Sequence, residues 1–190
     1  MKKIPTLFVR EFEGHEIKRI TDQVTPGCEA VLRGETLATV KYDGACCAVI
    51  EGRFYKRYDA KKGKQPPPDA IPCCEPDPVT GHWPHWVPVD EENPGDRWFV
   101  AACRNSCIQP EGEATYEAIG PHFQGNPYGL ALDTLVMHGQ TPIYDVELSF
   151  AGIRDYLEAH PIEGIVFWTD NGPLCKIKRT DYGFPWPVKG

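Results

Sequence analysis

The chain has 190 residues, 41% of them hydrophobic and 25% charged, with a formal net charge of −7. That length suits one domain with a substantial core, and the composition excludes wholesale disorder. No stretch approaches the roughly 20 apolar residues of a membrane helix, and residues 1–11 hold no apolar run of signal-peptide length, so a soluble, cytoplasmic protein is expected.

Residues 6–12 read as a strand, followed by a mixed segment around Ile17 and Ile20. Next comes Lys41-Tyr42-Asp43-Gly44, set between Thr39-Val40 and the apolar run 45–50. It reads as a lysine on a tight turn, since glycine takes backbone angles closed to other residues and aspartate favours turns. Glu51-Gly52 then separates Ala48-Val49-Ile50 from residues 53–58, the pattern of a hairpin. Residues 59–96 form a proline-rich connector that includes Pro66-Pro67-Pro68, Pro84 and Pro88. Each proline lacks a donor N–H, so a long helix or a central strand is not expected there. A long irregular stretch of this kind is often a functional loop. From Trp98 onward short strands are predicted at 98–103, 116–119, 135–137, 143–146, 164–168 and 174–178. One helix is predicted at about 150–160, with Ile153, Tyr156 and Leu157 on one face, Ser149 as N-cap and Pro161 after its end.

The acidic total hides a local excess of the other sign. Residues 53–64 hold six basic side chains (Arg53, Lys56, Arg57, Lys61, Lys62, Lys64) against Asp59, a net +5. A second basic cluster is Lys176, Lys178 and Arg179. Two basic patches on an acidic chain suit a protein that grips phosphates at one place. The eight cysteines read as reduced thiols, and the adjacent pairs Cys46-Cys47 and Cys73-Cys74 are awkward for a disulfide framework. Cys73, Cys74, His82, His85, Cys103 and Cys107 could supply zinc ligands, although their spacing follows no standard zinc pattern.

Three further segments answer the lysine. Tyr116-Glu117-Ala118-Ile119-Gly120 and Glu163-Gly164-Ile165-Val166 each put a carboxylate in or beside a strand, and Lys176-Ile177-Lys178 ends the last strand. Alternation along that strand sends Lys176 and Lys178 to one face and Cys175 and Ile177 to the other. In this order the four segments resemble motifs I, III, IV and V of the covalent nucleotidyltransferases, the superfamily of DNA ligases, RNA ligases and mRNA capping enzymes. The chain is most similar to the small ATP-dependent 5′-to-3′ RNA ligases of phages, bacteria and animals. Residues 41–47 (KYDGACC), 55–64 (YKRYDAKKGK), 75–84 (EPDPVTGHWP), 125–129 (GNPYG) and 176–185 (KIKRTDYGFP) also look like that family.

The resemblance implies an α+β fold: a nucleotidyltransferase (ATP-grasp-like) core of antiparallel sheets flanked by helices. It would be a single domain over 1–190, with the connector at about 59–96 and no OB domain, since only 12 residues follow Lys178. Lys41 would be the nucleophile that takes AMP from ATP, with Lys176 and Lys178 stabilising charge on the phosphates. Glu163, with Glu117, would hold Mg²⁺ or Mn²⁺, while Glu117 could instead contact the ribose. Val40, Lys41, Glu117, Lys176 and Lys178 would line the nucleotide, and the ribose-contacting arginine lies between Arg53 and Arg57. Met137 or His138 would pack on the purine. The implied substrate is RNA with 5′-phosphate and 3′-hydroxyl ends. DNA nick sealing, GTP-dependent capping and nucleotide or RNA-end binding without turnover stand as alternatives.

Overall fold

The computed structural model describes residues 3–14, 16–61, 63–106 and 113–188. In chain order the elements are β1 (Phe8–Glu13), β2 (Glu16–Val24), β3 (Leu37–Lys41), β4 (Ala45–Ile50), β5 (Arg53–Ala60), β6 (Ile71–Pro72), β7 (Trp83–Pro88), α1 (Arg97–Asn105), β8 (Ala114–Ile119), β9 (Thr134–Met137), α2 (Phe150–Ala159), β10 (Gly164–Thr169) and β11 (Gly172–Lys178). The fold is mixed α+β, with antiparallel sheets and few helices. Two compact units emerge, one built mainly from Asp43–His138, the other from Ile4–Tyr42 and Gly139–Gly190. Among the described residues no helix is long and apolar enough to cross a membrane.

The second unit holds a three-stranded sheet in the order β11-β10-β3 and a hairpin of β1 and β2. One face of the three-stranded sheet supplies Ala38, Ile165, Phe167, Cys175 and Ile177 to a core completed by Leu7, Phe8, Cys28, Val31, Ile143 and two residues of α2, Ile153 and Leu157. Alternation along β11 is as expected, with Cys175 and Ile177 buried while Lys176 and Lys178 take the opposite face. The outer edge of β11 is covered by the N-terminal segment, where Leu7 N–H donates to Lys176 O at 2.8 Å and Lys176 N–H to Pro5 O at 3.0 Å. The predicted helix forms as α2, and Ser149 caps it by accepting from the Gly152 N–H at 2.9 Å.

The first unit is built on a six-stranded sheet, β6-β7-β5-β4-β8-β9. Cys47, Val49, Tyr116, Ala118 and Leu135 face a core shared with Ala102 of α1, while Ala48, Tyr55 and Trp86 cluster on their own. Three expectations need correction here and in the second unit. Residues 98–103 are helical, because Trp98, Phe99, Ala102 and Cys103 fall on one helical face against that core. A 3₁₀ turn, Pro94–Asp96, leads into the helix, started by Asn93 accepting from Gly95 N–H at 2.9 Å. The connector does hold a strand flanked on both sides, against expectation, since β7 pairs with both β5 and β6 despite Pro84 and Pro88. Pro84 contributes only its carbonyl, which accepts from Cys73 N–H at 2.9 Å, and β6 is two residues long, so few donors are missed. Residues 143–146 form no strand: Thr141 O and Ile143 N–H bond to β3 at 2.9 and 2.8 Å, but Pro142 stops a ladder from extending.

These assignments give different costs to two changes in α2. Leu157→Ala removes a fully buried side chain and should cost about 2–5 kcal/mol. Ser149→Ala removes one cap and should cost about 1 kcal/mol. Urea unfolding followed by circular dichroism checks both.

Candidate functional site

The three-stranded sheet brings together residues 122 and 137 positions from Lys41 in the chain. Gly164 of β10 is in register with Lys41 of β3 on one side and Lys178 of β11 on the other. Residues in one such row point to the same face, so both lysines rise over Gly164 and reach the residue before it, Glu163. The Lys41 ammonium donates to Glu163 Oε2, and the Lys178 ammonium donates to Glu163 Oε1 at 2.5 Å. Glu163 is 4% exposed, which leaves it buried between two cations. A side chain at position 164 would break this row, because a Cβ there would lie 2.2 Å from Ile177 O.

The backbone behind the row is pinned as firmly. Arg179 N–H donates to Glu163 O at 2.9 Å, and Lys178 N–H donates to Asp181 Oδ2 at 2.8 Å. Asp181 in turn accepts from Arg10 at 2.5 Å, while the buried Arg179 guanidinium donates to the carbonyls of Leu157 and His160 at the end of α2. Lys176 sits one row further along the same face, paired with Val166. Val40 packs its side chain into the core on the opposite face, and its N–H donates to Thr141 O at 2.9 Å.

Tyr42-Asp43-Gly44 does not close a hairpin. Lys41 ends β3 of one sheet, and Ala45 begins β4 of another. Gly44 has no positive φ; it is glycine because a Cβ would lie 2.2 Å from Ala118 O. Asp43 N–H donates to Tyr128 Oη at 2.6 Å, Gly44 N–H to Glu117 Oε1 at 3.1 Å, and Gln124 Nε2 to Gly44 O at 3.1 Å. Glu117 therefore orders the chain that follows the lysine.

Glu117 also has partners that the sequence did not announce. His138 Nε2 lies 3.0 Å from Glu117 Oε2, while His138 Nδ1 lies 2.9 Å from Thr115 Oγ1. Cys46 stands directly across from Glu117 in the β4–β8 register. Burial, with the Glu117 charge, pushes the Cys46 thiol up to about 12, against an opposing pull from Arg57. The signal available in sequence was the two-residue alternation that puts Thr115 and Glu117 on one face. Of the basic residues at 53–64, Lys56 is bound to the buried Asp96, and Arg57 donates to Asp59 at 2.9 Å. Arg53 is exposed beside the Tyr55 ring, and Lys62 lies outside the described residues. Among the described residues, Cys73, Cys74, His82, His85 and Cys103 form no metal-ligating cluster, and Cys107 lies outside them.

A family model described as RNA ligase 1 matches residues 105–190. The RNA ligase 1 proteins of Danio rerio, Pongo abelii and Rattus norvegicus are 32%, 26% and 26% identical to the chain in the aligned regions. The chain is thus similar to proteins named RNA ligase 1. The matches cover 57%, 80% and 98% of this chain and 43%, 69% and 82% of those proteins. The RNA ligase 1 model takes in Glu117, Glu163, Lys176 and Lys178, while Lys41 falls within the span shared with the rat RNA ligase 1.

The row predicts its own intolerance. Gly164→Ala should destabilise the chain by about 1–3 kcal/mol, the usual range for forcing an extra group into packed structure. Thermal unfolding should register the loss, and a neutral result would mean that β10 and β11 can separate without cost.

Proposed function

We propose that the chain is an ATP-dependent RNA ligase with a nucleotidyltransferase core, acting through Lys41. The observation that carries this reading is the row itself: a lysine amine against a buried carboxylate whose other oxygen holds a second lysine. Relatives named RNA ligase 1 support the substrate class. The chemistry assigned below uses residues of one compact unit only.

In the first step Lys41 Nζ attacks the α-phosphorus of ATP. A phosphorus–nitrogen bond forms as the bond to the β-phosphate oxygen breaks, and pyrophosphate leaves. The attacking nitrogen needs its lone pair, so one N–H proton must depart, and Glu163 Oε2 already accepts from that nitrogen. Lys178 keeps the carboxylate in place by holding Oε1, and with Lys176 it brings positive charge to the face where the phosphates would lie. In the second step an oxygen of the RNA 5′-phosphate attacks the lysyl-AMP phosphorus and Lys41 regains its amine. In the third a 3′-hydroxyl attacks the activated 5′-phosphate, the strand is joined and AMP departs.

The donors here fit Mg²⁺ or Mn²⁺. Glu163 offers a hard oxygen donor in a position that already tolerates cations in contact, and phosphate oxygens could complete the shell. When bound, such an ion would supply charge neutralisation at the phosphates. Arg53, Arg57 and Glu117 belong to the other compact unit, and none of the chemistry above is assigned to them.

With ATP and Mg²⁺ the chain should join 5′-phosphorylated RNA to a 3′-hydroxyl end. Lys41→Ala should abolish joining, and Lys178→Ala should slow it about 100- to 1000-fold, the usual loss when one preorganised donor is removed. Parallel reactions with GTP and with DNA ends test the competing nucleotidyltransferase activities. Joining that survives Lys41→Ala, or that proceeds only with GTP or DNA, would overturn the reading.

A further inference from the structure

Cys46, Glu117 and His138 meet on one face of the six-stranded sheet, and we propose that they bind one Zn²⁺ ion or a similar borderline-soft divalent metal. Their sulfur, carboxylate oxygen and ring nitrogen all lie within 4.8 Å of one another. Tetrahedral zinc, with bonds of about 2.0–2.3 Å, holds its ligand atoms roughly 3.5 Å apart, so a small inward movement closes the site.

Each ligand is held by backbone or side-chain structure. Cys46 and Glu117 face one another in register on adjacent strands, and such pairs project side by side. His138 follows β9, where its N–H donates to Thr115 O at 3.0 Å and fixes its place beside β8. The Thr115 hydroxyl at 2.9 Å from Nδ1 leaves Nε2 directed at Glu117, the arrangement in which a hydrogen bond at one ring nitrogen orients the other as a ligand. Gly44 N–H occupies Glu117 Oε1, which leaves Oε2 on the side of His138.

The donor chemistry selects the ion. A thiolate and an imidazole favour zinc or cobalt over Mg²⁺, which prefers oxygen ligands. The Cys46 proton is released to solvent as the metal–sulfur bond forms. Three protein ligands leave a fourth position for water or a ligand atom. No residue of the Lys41–Glu163–Lys178 row takes part, and the metal titration below reads the site without any ligase activity.

Co²⁺ is the probe, because a thiolate ligand gives it a charge-transfer absorption that nitrogen and oxygen ligands do not. The reduced, metal-free full chain should take up one equivalent of Co²⁺ with that band, and one equivalent of Zn²⁺ should bleach it. Cys46→Ser should remove the band, and Cys73→Ser and Cys103→Ser should retain it. His138→Asn should weaken binding at least 10-fold, and Thr115→Val about 10-fold, as typical for the loss of a hydrogen bond behind a ligand. Absence of saturable Co²⁺ absorption in the wild-type chain would overturn the proposal, as would a band that persists in Cys46→Ser or vanishes in Cys73→Ser or Cys103→Ser.

Discussion

One buried carboxylate governs the arrangement around Lys41. Glu163 is nearly sealed from solvent and accepts from two ammonium groups, one on each oxygen. A carboxylate in such surroundings is tolerable only while its charge is matched, and removing one side of a buried pair typically costs about 3–5 kcal/mol. The same carboxylate thus fixes where both lysines stand and ties local stability to the chemistry proposed for them.

Much of the second unit can be understood as support for that carboxylate. Glycine at 164 lets β11 approach closely enough for Lys178 to reach it. The Arg179 guanidinium ties the segment after β11 to the end of α2, and Asp181 links the same segment to Arg10 of β1. The N-terminal residues close the free edge of β11. These are backbone and buried polar bonds, so their positions are over-determined in a way that an exposed lysine pair would not be. An exposed ion pair contributes roughly 0–1 kcal/mol and holds no fixed geometry.

Of the three strands around the row, the sequence marked β10 and β11 but not β3, and β11 stood out because its alternation is strong. Cys175 and Ile177 are apolar between Lys176 and Lys178, and that pattern alone assigned the two faces of β11. The family resemblance named Lys41, Glu163 and Lys178 together, although only the register across Gly164 explains how they meet. Where local signals were ambiguous the reading failed. Residues 98–103 are a continuous apolar run, which periodicity cannot divide between helix and strand. The prolines near 84 and 88 suppressed a strand whose missing donors fall opposite a two-residue partner. Gly44 was rightly marked as special but for the wrong cause: the close approach of Ala118 requires glycine there, and no positive φ does. The Cys46–Glu117–His138 cluster could not be read at all, since cross-strand pairing brings together residues separated by 71 and 21 positions.

The central claim is that Lys41 is a nucleophile, and peptide-level mass spectrometry tests it most directly. The chain would be incubated with ATP and Mg²⁺ in the absence of RNA, then digested under alkaline conditions that preserve a phosphoramidate. The account predicts a single AMP group on the peptide bearing Lys41, absent when Lys41→Arg is treated in the same way. An unmodified Lys41, or AMP carried instead on Lys176 or Lys178, would contradict it.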